Sequence, residues 1–136
     1  MKENTIFPKG NKAPSEYFTG TAYVNMLIAD TNKKYNTTVY DVVFEAGTRN
    51  NWHKHSQGQI LLCTVGVGYY QEKGRPAQKL QVGDVVEIPA NVEHWHGAGL
   101  DSSFTHIGIT PRVAENITEW GNAVSDEEYH SAIKGK

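Results

Sequence analysis

In the run Trp52-His53-Lys54-His55-Ser56-Gln57-Gly58-Gln59, two histidines stand one residue apart and an amide follows within the same stretch. Glu93-His94-Trp95-His96 supplies the same His-x-His spacing much later in the chain. Side chains one residue apart on a strand point the same way, so each pair can converge on one ion. Imidazole nitrogens from His53, His55 and His94 with the carbonyl oxygen of Gln59 make an N/O donor set. Such a set suits manganese, iron, nickel, cobalt or zinc better than a thiolate-loving centre. An enzyme is therefore expected before a passive domain. Gln59 has a second reading, as an interior polar residue bonded to backbone, which would leave three histidines and water. His96 has three readings: a fifth ligand, a partner beside the ligands, or a core histidine. Because each ligating imidazole must be neutral, metal affinity is expected to fall below about pH 6.5, the reference imidazole pKa.

The elements that must position these residues read as strands. Ala22, Val24, Met26 and Ile28 alternate with polar neighbours from Thr21 to Ile28, which is strand periodicity. From Thr37 to Glu45, Tyr40, Val42 and Phe44 share one face while Asp41 and Glu45 lie on the other. Short strands are expected at Gln59 to Val65, Gly68 to Glu72, Gln78 to Leu80, Val85 to Ile88 and Ser103 to Ile109, with glycine-bearing turns between them. Gly74 marks a hairpin turn that needs positive φ. Many short strands of this kind indicate an all-β sandwich or barrel. Parity around the last strand puts Phe104, His106, Gly108 and Thr110 on one face. Ser125 followed by Asp126, Glu127 and Glu128 is a capping box, so a short helix is expected over 125–133. Residues 1–14, with Pro8, Gly10 and Pro14, read as an irregular arm.

The 136 residues fit one domain, with thirteen basic against fifteen acidic residues and a formal charge of −2. No run of Lys or Arg offers a footprint for a phosphate backbone, so no nucleic acid is expected. No stretch approaches the roughly 20 apolar residues of a membrane span, and the start lacks an apolar signal core. A cytoplasmic protein with no membrane partner is expected. Cys63 is the lone cysteine and, among Leu61, Leu62 and Val65, reads as a buried hydrophobe rather than a reactive thiol. Arg49 reads as a solvated rim arginine or a structural ion pair rather than an anion-steering group. Trp52, Trp95 and Trp120 read as packing anchors, and His130 as solvent-exposed.

Gly47, His53, His55, Gln59 and Gly66 are spaced as in the first conserved motif of the cupin family, with Gln59 where glutamate is usual. Gly83, Pro89 and His94 resemble the second motif, with Asn91 in place of a glycine and Ala98 in place of an asparagine. Phe18-Thr19-Gly20-Thr21, Arg49, His94-Trp95-His96-Gly97-Ala98, Thr105-His106 and the tail from Trp120 to Tyr129 extend the likeness. Together they resemble single-domain bacterial cupins that include manganese-dependent hydroxynitrile lyases and the carboxymuconolactone decarboxylase-associated group. The resemblance implies a cupin jelly-roll barrel of antiparallel β-sheet over residues 1–136, and metal ligands at His53, His55, Gln59 and His94. It also implies manganese foremost among the divalent ions, a catalytic base at His106, and a homodimer.

Three imidazoles and a neutral amide would leave the full charge on the ion, a strong Lewis acid toward an alkoxide. The expected reaction is lyase cleavage of a small cyanohydrin-like or 2-hydroxy substrate, with His106, His96 and Tyr40 as catalytic candidates. Tyr40, Val42, Phe44 and Thr110 are expected to line the substrate pocket. Tyr40 and Thr110 depart from the hydroxynitrile lyase pattern, which has a smaller residue and a glutamine at those positions. The alternatives are a metal-dependent dioxygenase and a small-ligand-binding module that performs no turnover.

Overall fold

The computed structural model describes residues 5–134. In chain order the strands are β1 (Asn11–Lys12), β2 (Phe18–Thr19), β3 (Ala22–Ile28), β4 (Thr37–Phe44), β5 (Arg49–Asn50), β6 (His53–His55) and β7 (Gln59–Gly66). They continue with β8 (Gly68–Glu72), β9 (Gln78–Leu80), β10 (Val85–Ile88), β11 (His94–Ala98), β12 (Phe104–Pro111) and β13 (Thr118–Trp120), and end in helix α1 (Asp126–Lys134).

Two curled antiparallel sheets face each other. One runs β1-β3-β4-β12-β7-β10. The other is built around β11, with β8 and then β9 along one side. Along its other side β5 and β6 share the pairing, extended by β2 and β13. Phe44, Leu61, Leu80, Ala98 and Phe104 fill the space between the sheets, each fully buried. The alternation on β7 turns Gln59, Leu61 and Cys63 inward, so a metal-ligand candidate and core residues share one face. Cys63 is buried, and burial pushes its thiol up to about 11, in keeping with an inert hydrophobe.

The expected strands are found, with their ends shifted by a residue or two. The arm expected over 1–14 is not wholly irregular, because β1 pairs with β3 through Asn11 and Val24. Gly10 permits that approach, since a Cβ there would fall 2.0 Å from the Val24 carbonyl oxygen. A strand of two residues has no periodicity to read; the first four residues of the arm lie outside the described part. On β3 the apolar stripe starts in the core at Ala22 and leaves it, so that Met26 and Ile28 are exposed. Asp41 lies on the outer face of β4 yet is 2% exposed, between Asn25 of β3 and Ile107 of β12 in register. Asn91 sits at φ +63°. That left-handed position explains why asparagine can stand for glycine, being the residue that best tolerates it after glycine. Gly74 is at φ +83°, as its turn requires.

α1 packs on the outer side of the second sheet. Ser125 and Glu128 close the capping box reciprocally: the Glu128 N–H donates to Ser125 Oγ at 3.0 Å, and the Ser125 N–H to Glu128 Oε1 at 2.9 Å. Tyr129 donates its hydroxyl to the Ala98 carbonyl at 2.6 Å. Trp52, Tyr69, Trp95 and Val124 form a second core beneath the helix. Arg49 belongs to this structural side. Its guanidinium donates to the Val124 carbonyl and to Asp126 at 2.7 Å, and it lies over the Tyr129 ring. Among the described residues no helix is long and apolar enough to cross a membrane.

Candidate metal centre and adjoining cavity

His53 and His55 stand on β6, His94 and His96 on β11, and the pairing of those strands sets His53 opposite His94. Gln59 opens β7 and His106 sits on β12, both on the other sheet. The six residues meet where the two sheets face each other, and all are buried. Ring centroids separate His53 from His94 by 4.3 Å, His53 from His55 by 5.0 Å and His55 from His94 by 5.4 Å. Ring nitrogens of His53, His94 and His96 all lie within 4.8 Å of one another. Three buried histidines could thus hold a metal ion.

Backbone carbonyls fix the tautomers of His53 and His94. His53 Nδ1 lies 2.7 Å from the Asn51 carbonyl oxygen and His94 Nδ1 lies 2.9 Å from the Val92 carbonyl oxygen. A carbonyl only accepts, so in both rings the proton is on Nδ1 and Nε2 presents a lone pair. His55 Nδ1 lies 3.0 Å from Thr118 Oγ1. The Nε2 atoms of His55 and His94 and the Oε1 of Gln59 are buried without a hydrogen-bond partner. Each such acceptor costs about 1–3 kcal/mol if left bare. A divalent cation is the partner that suits all three, so the donor set fits a metal.

Burial keeps these rings uncharged. It holds His94 down to about 4 and His53 well below the ordinary range, with His94 beside it adding repulsion. His55 is lowered by burial too, and the nearby Gln59 side chain offsets part of that. These three rings therefore stay neutral further into acid than an unperturbed imidazole. A metal held by them would be retained below the pH of about 6.5 expected from the reference imidazole.

His96 sits beside this group. Its backbone N–H donates to Asn50 Oδ1 at 3.0 Å, and the Asn50 amide nitrogen lies 3.3 Å from its Nε2 and 3.4 Å from its Nδ1. His106 is fully buried, meets His96 edge-on at 4.9 Å, and has no hydrogen-bond partner at either ring nitrogen. Burial holds it down to about 4, so its ring is neutral and able to accept a proton.

A cavity of about 240 Å³ adjoins these groups. Tyr40, Val42 and Phe44 line it, as strand parity predicts, together with His53, His55, Gln59, His96 and His106. Thr110 does not line it; it stands behind Tyr40, with Oγ1 2.7 Å from the Tyr40 hydroxyl. Tyr17, Phe18, Val24, Asn50, Thr118 and Trp120 also line the cavity, and sequence reasoning missed them. All but Val24, whose alternation on β3 gave its face but not its place at the cavity, come from short strands and loops without periodicity; only the aromatic character of Tyr17, Phe18 and Trp120 was a signal. Trp52 and Trp95 are packing anchors as expected, but Trp120 is not. Its ring stacks on Tyr17 at 4.4 Å, lies 4.7 Å from the His53 ring, and is partly exposed at the mouth of the cavity. Among the described residues, no lysine, arginine, aspartate or glutamate lines the cavity.

Residues 40–104 match the family model described as the cupin domain. The chain is 35% identical over 118 residues to an (R)-mandelonitrile lyase of Granulicella tundricola, covering 87% of this chain and 89% of that protein. A cupin-like protein of Thermotoga maritima superimposes with a TM-score of 0.94 at 53% identity, over 98% of this chain and 100% of its own. A DMSP lyase of Ruegeria pomeroyi shares the fold at 20% identity, with a TM-score of 0.62, over 81% of this chain and 54% of its own.

Proposed function

The chain belongs to the cupin family, and from that footing we propose that it is a metal-dependent lyase cleaving a small cyanohydrin-like or 2-hydroxy substrate. One observation carries the reading: unpartnered acceptors on His55, Gln59 and His94 cluster beside an uncharged cavity that His106 also lines. His53, His55, Gln59 and His94 would hold the ion. His96 is left beside them because the Asn50 amide already occupies the edge of its ring. The bound ion would supply a Lewis-acidic positive charge to the substrate oxygen.

The protein's own groups do the rest. A cavity of about 240 Å³ is below the range of drug-sized sites, so it takes a compact substrate. Its aromatic and aliphatic walls favour an apolar substituent, and the lack of a lysine or arginine disfavours a polyanion. His106 accepts the hydroxyl proton. The O–H electron pair becomes the second bond of the carbonyl, and the carbon–carbon pair leaves with the departing carbon. The proton on His106 then passes to that leaving group, giving aldehyde and hydrogen cyanide from a cyanohydrin. An imidazole held near 4 releases this proton readily.

The reading takes manganese as the ion, a cytoplasmic setting and a homodimer; elemental analysis and light scattering of the purified protein test the first and last. The activity test is cyanide release from mandelonitrile by manganese-loaded protein. The His106→Ala protein is expected to keep its metal and lose activity about 100-fold or more. A loaded wild type that releases no cyanide above the metal-only control overturns the reading.

A further inference from the structure

Gln59 is an ambiguous ligand by nature, because one end of its amide is an oxygen that can bind a cation and the other an NH₂ that cannot. Something must select the orientation. Nε2 of Gln59 donates to the Tyr40 hydroxyl, while Oε1 is buried and unpartnered. The Tyr40 oxygen is in turn 2.7 Å from Thr110 Oγ1. The Tyr40 oxygen thus accepts the Gln59 N–H and shares a second hydrogen bond with Thr110, in which either hydroxyl can donate.

The backbone is shaped for this chain of bonds. Gly108 pairs with Tyr40 across β12 and β4, and a Cβ on it would fall 2.3 Å from Tyr40 Cε2. Glycine there lets the Tyr40 ring lie across the strand, with its hydroxyl between Thr110 on β12 and Gln59 on β7. Three strands meet in one hydroxyl group. That hydroxyl is occupied on both sides, which leaves the phenol poorly placed to donate to a substrate.

We infer that Tyr40, braced by Thr110, is a positioning residue that turns the amide oxygen of Gln59 toward the histidines and so completes the metal's donor set. This rests on the ligand assignment made under the proposed function. Hydrogen-bonding partners of metal ligands typically contribute 10–100-fold to affinity, and the Gln59–Tyr40–Thr110 chain is such a partner. It ties the residues at 40 and 110, where this chain departs from the hydroxynitrile lyases it resembles, to the metal site itself.

The test is a manganese affinity measured by chelator competition, with the electron paramagnetic resonance line shape of the bound ion as a second readout. Tyr40→Phe keeps the ring and removes only the hydroxyl; it should bind manganese about 10-fold more weakly or worse and show a broadened or altered spectrum. Thr110→Val should weaken binding several-fold. In a Gln59→Ala background, Tyr40→Phe should have no further effect, because its target is gone. Melting of the metal-free variants separates misfolding from a local effect.

Wild-type affinity in Tyr40→Phe overturns the inference, and wild-type affinity in Thr110→Val overturns the bracing. A loss of equal size with and without Gln59 also overturns it, since Tyr40 would then act elsewhere. If Gln59→Ala itself binds as the wild type does, or the wild type binds no manganese, the ligand assignment fails and takes the inference with it. Only the outcomes confined to Tyr40 and Thr110 leave that assignment standing.

Discussion

Asp41 shows how much of a residue's fate is set by neighbours the sequence does not name. Alternation along β4 gives its face correctly, but not that this part of the outer face is covered. Its Oδ2 is buried without a partner, and burial raises the carboxyl to about 6. An unfolded aspartate titrates near 3.9. Between those values the folded state holds more protons, so this group stabilises the protein at low pH and its contribution is lost as pH rises through about 6. Asp41→Asn should therefore raise stability at pH 8 by about 1–3 kcal/mol, and by little at pH 4; equal denaturant midpoints at pH 8 would refute this. The histidines were more legible, since the one-residue spacing turns His53 and His55 the same way and the resemblance to the cupin motifs brings His94 to them. Which ring nitrogen is free was not legible, because it depends on the Asn51 and Val92 carbonyls and on Thr118. From that geometry, His55→Ala should lose manganese affinity at least 10-fold, while His96→Ala should retain the ion. Competition titration decides; the reverse pattern would make His96 the ligand.

Elements were readable in proportion to their length. β3, β4, β7 and β12 carry seven or eight residues of alternation, and their positions follow from it. β1, β2, β5 and β13 carry two or three residues each, too few to show a repeat of the two-residue alternation. β1 and β5 pair with the longer β3 and β11, while β2 and β13 extend the sheet from β5 and the three-residue β6. α1, nine residues long, needs no alternation to be read, since its capping box is a sequence signal in itself. Replacing Ser125 with alanine removes the side-chain half of that box and should cost about 1 kcal/mol of stability. Manganese affinity should be unchanged, because α1 lies outside the sheet that carries β6 and β11. Thermal melting paired with the same titration checks both halves, and a loss of metal would show that the helix supports the site.

For the molecule as a whole, the dominant electrostatic fact is that five histidines are buried and neutral. Burial lowers the basicity of each. Each is fully stabilising above about pH 6.5 and loses stability as pH falls below it, by up to about 1.4 kcal/mol per pH unit. Total stability of a domain is about 5–15 kcal/mol, so a few such groups acting together can exhaust it within two pH units. Asp41 opposes them, but as one group against five. The metal-free protein should unfold cooperatively between about pH 6 and 4, and saturating manganese should move that midpoint downward by mass action. Circular dichroism across the range, with and without the ion, measures it. A metal-free protein still folded at pH 3.5 would show that the buried rings titrate far more normally than their surroundings dictate.

The cavity mouth has a consequence for ancestry. Tyr17 and Trp120, whose stacked rings frame the opening, lie outside residues 40–104, which match the family model. His53, His55, Gln59 and His94 all fall inside it. Under the proposed function, relatives matched through this central segment would share the seat for the ion, while their doorways need not match.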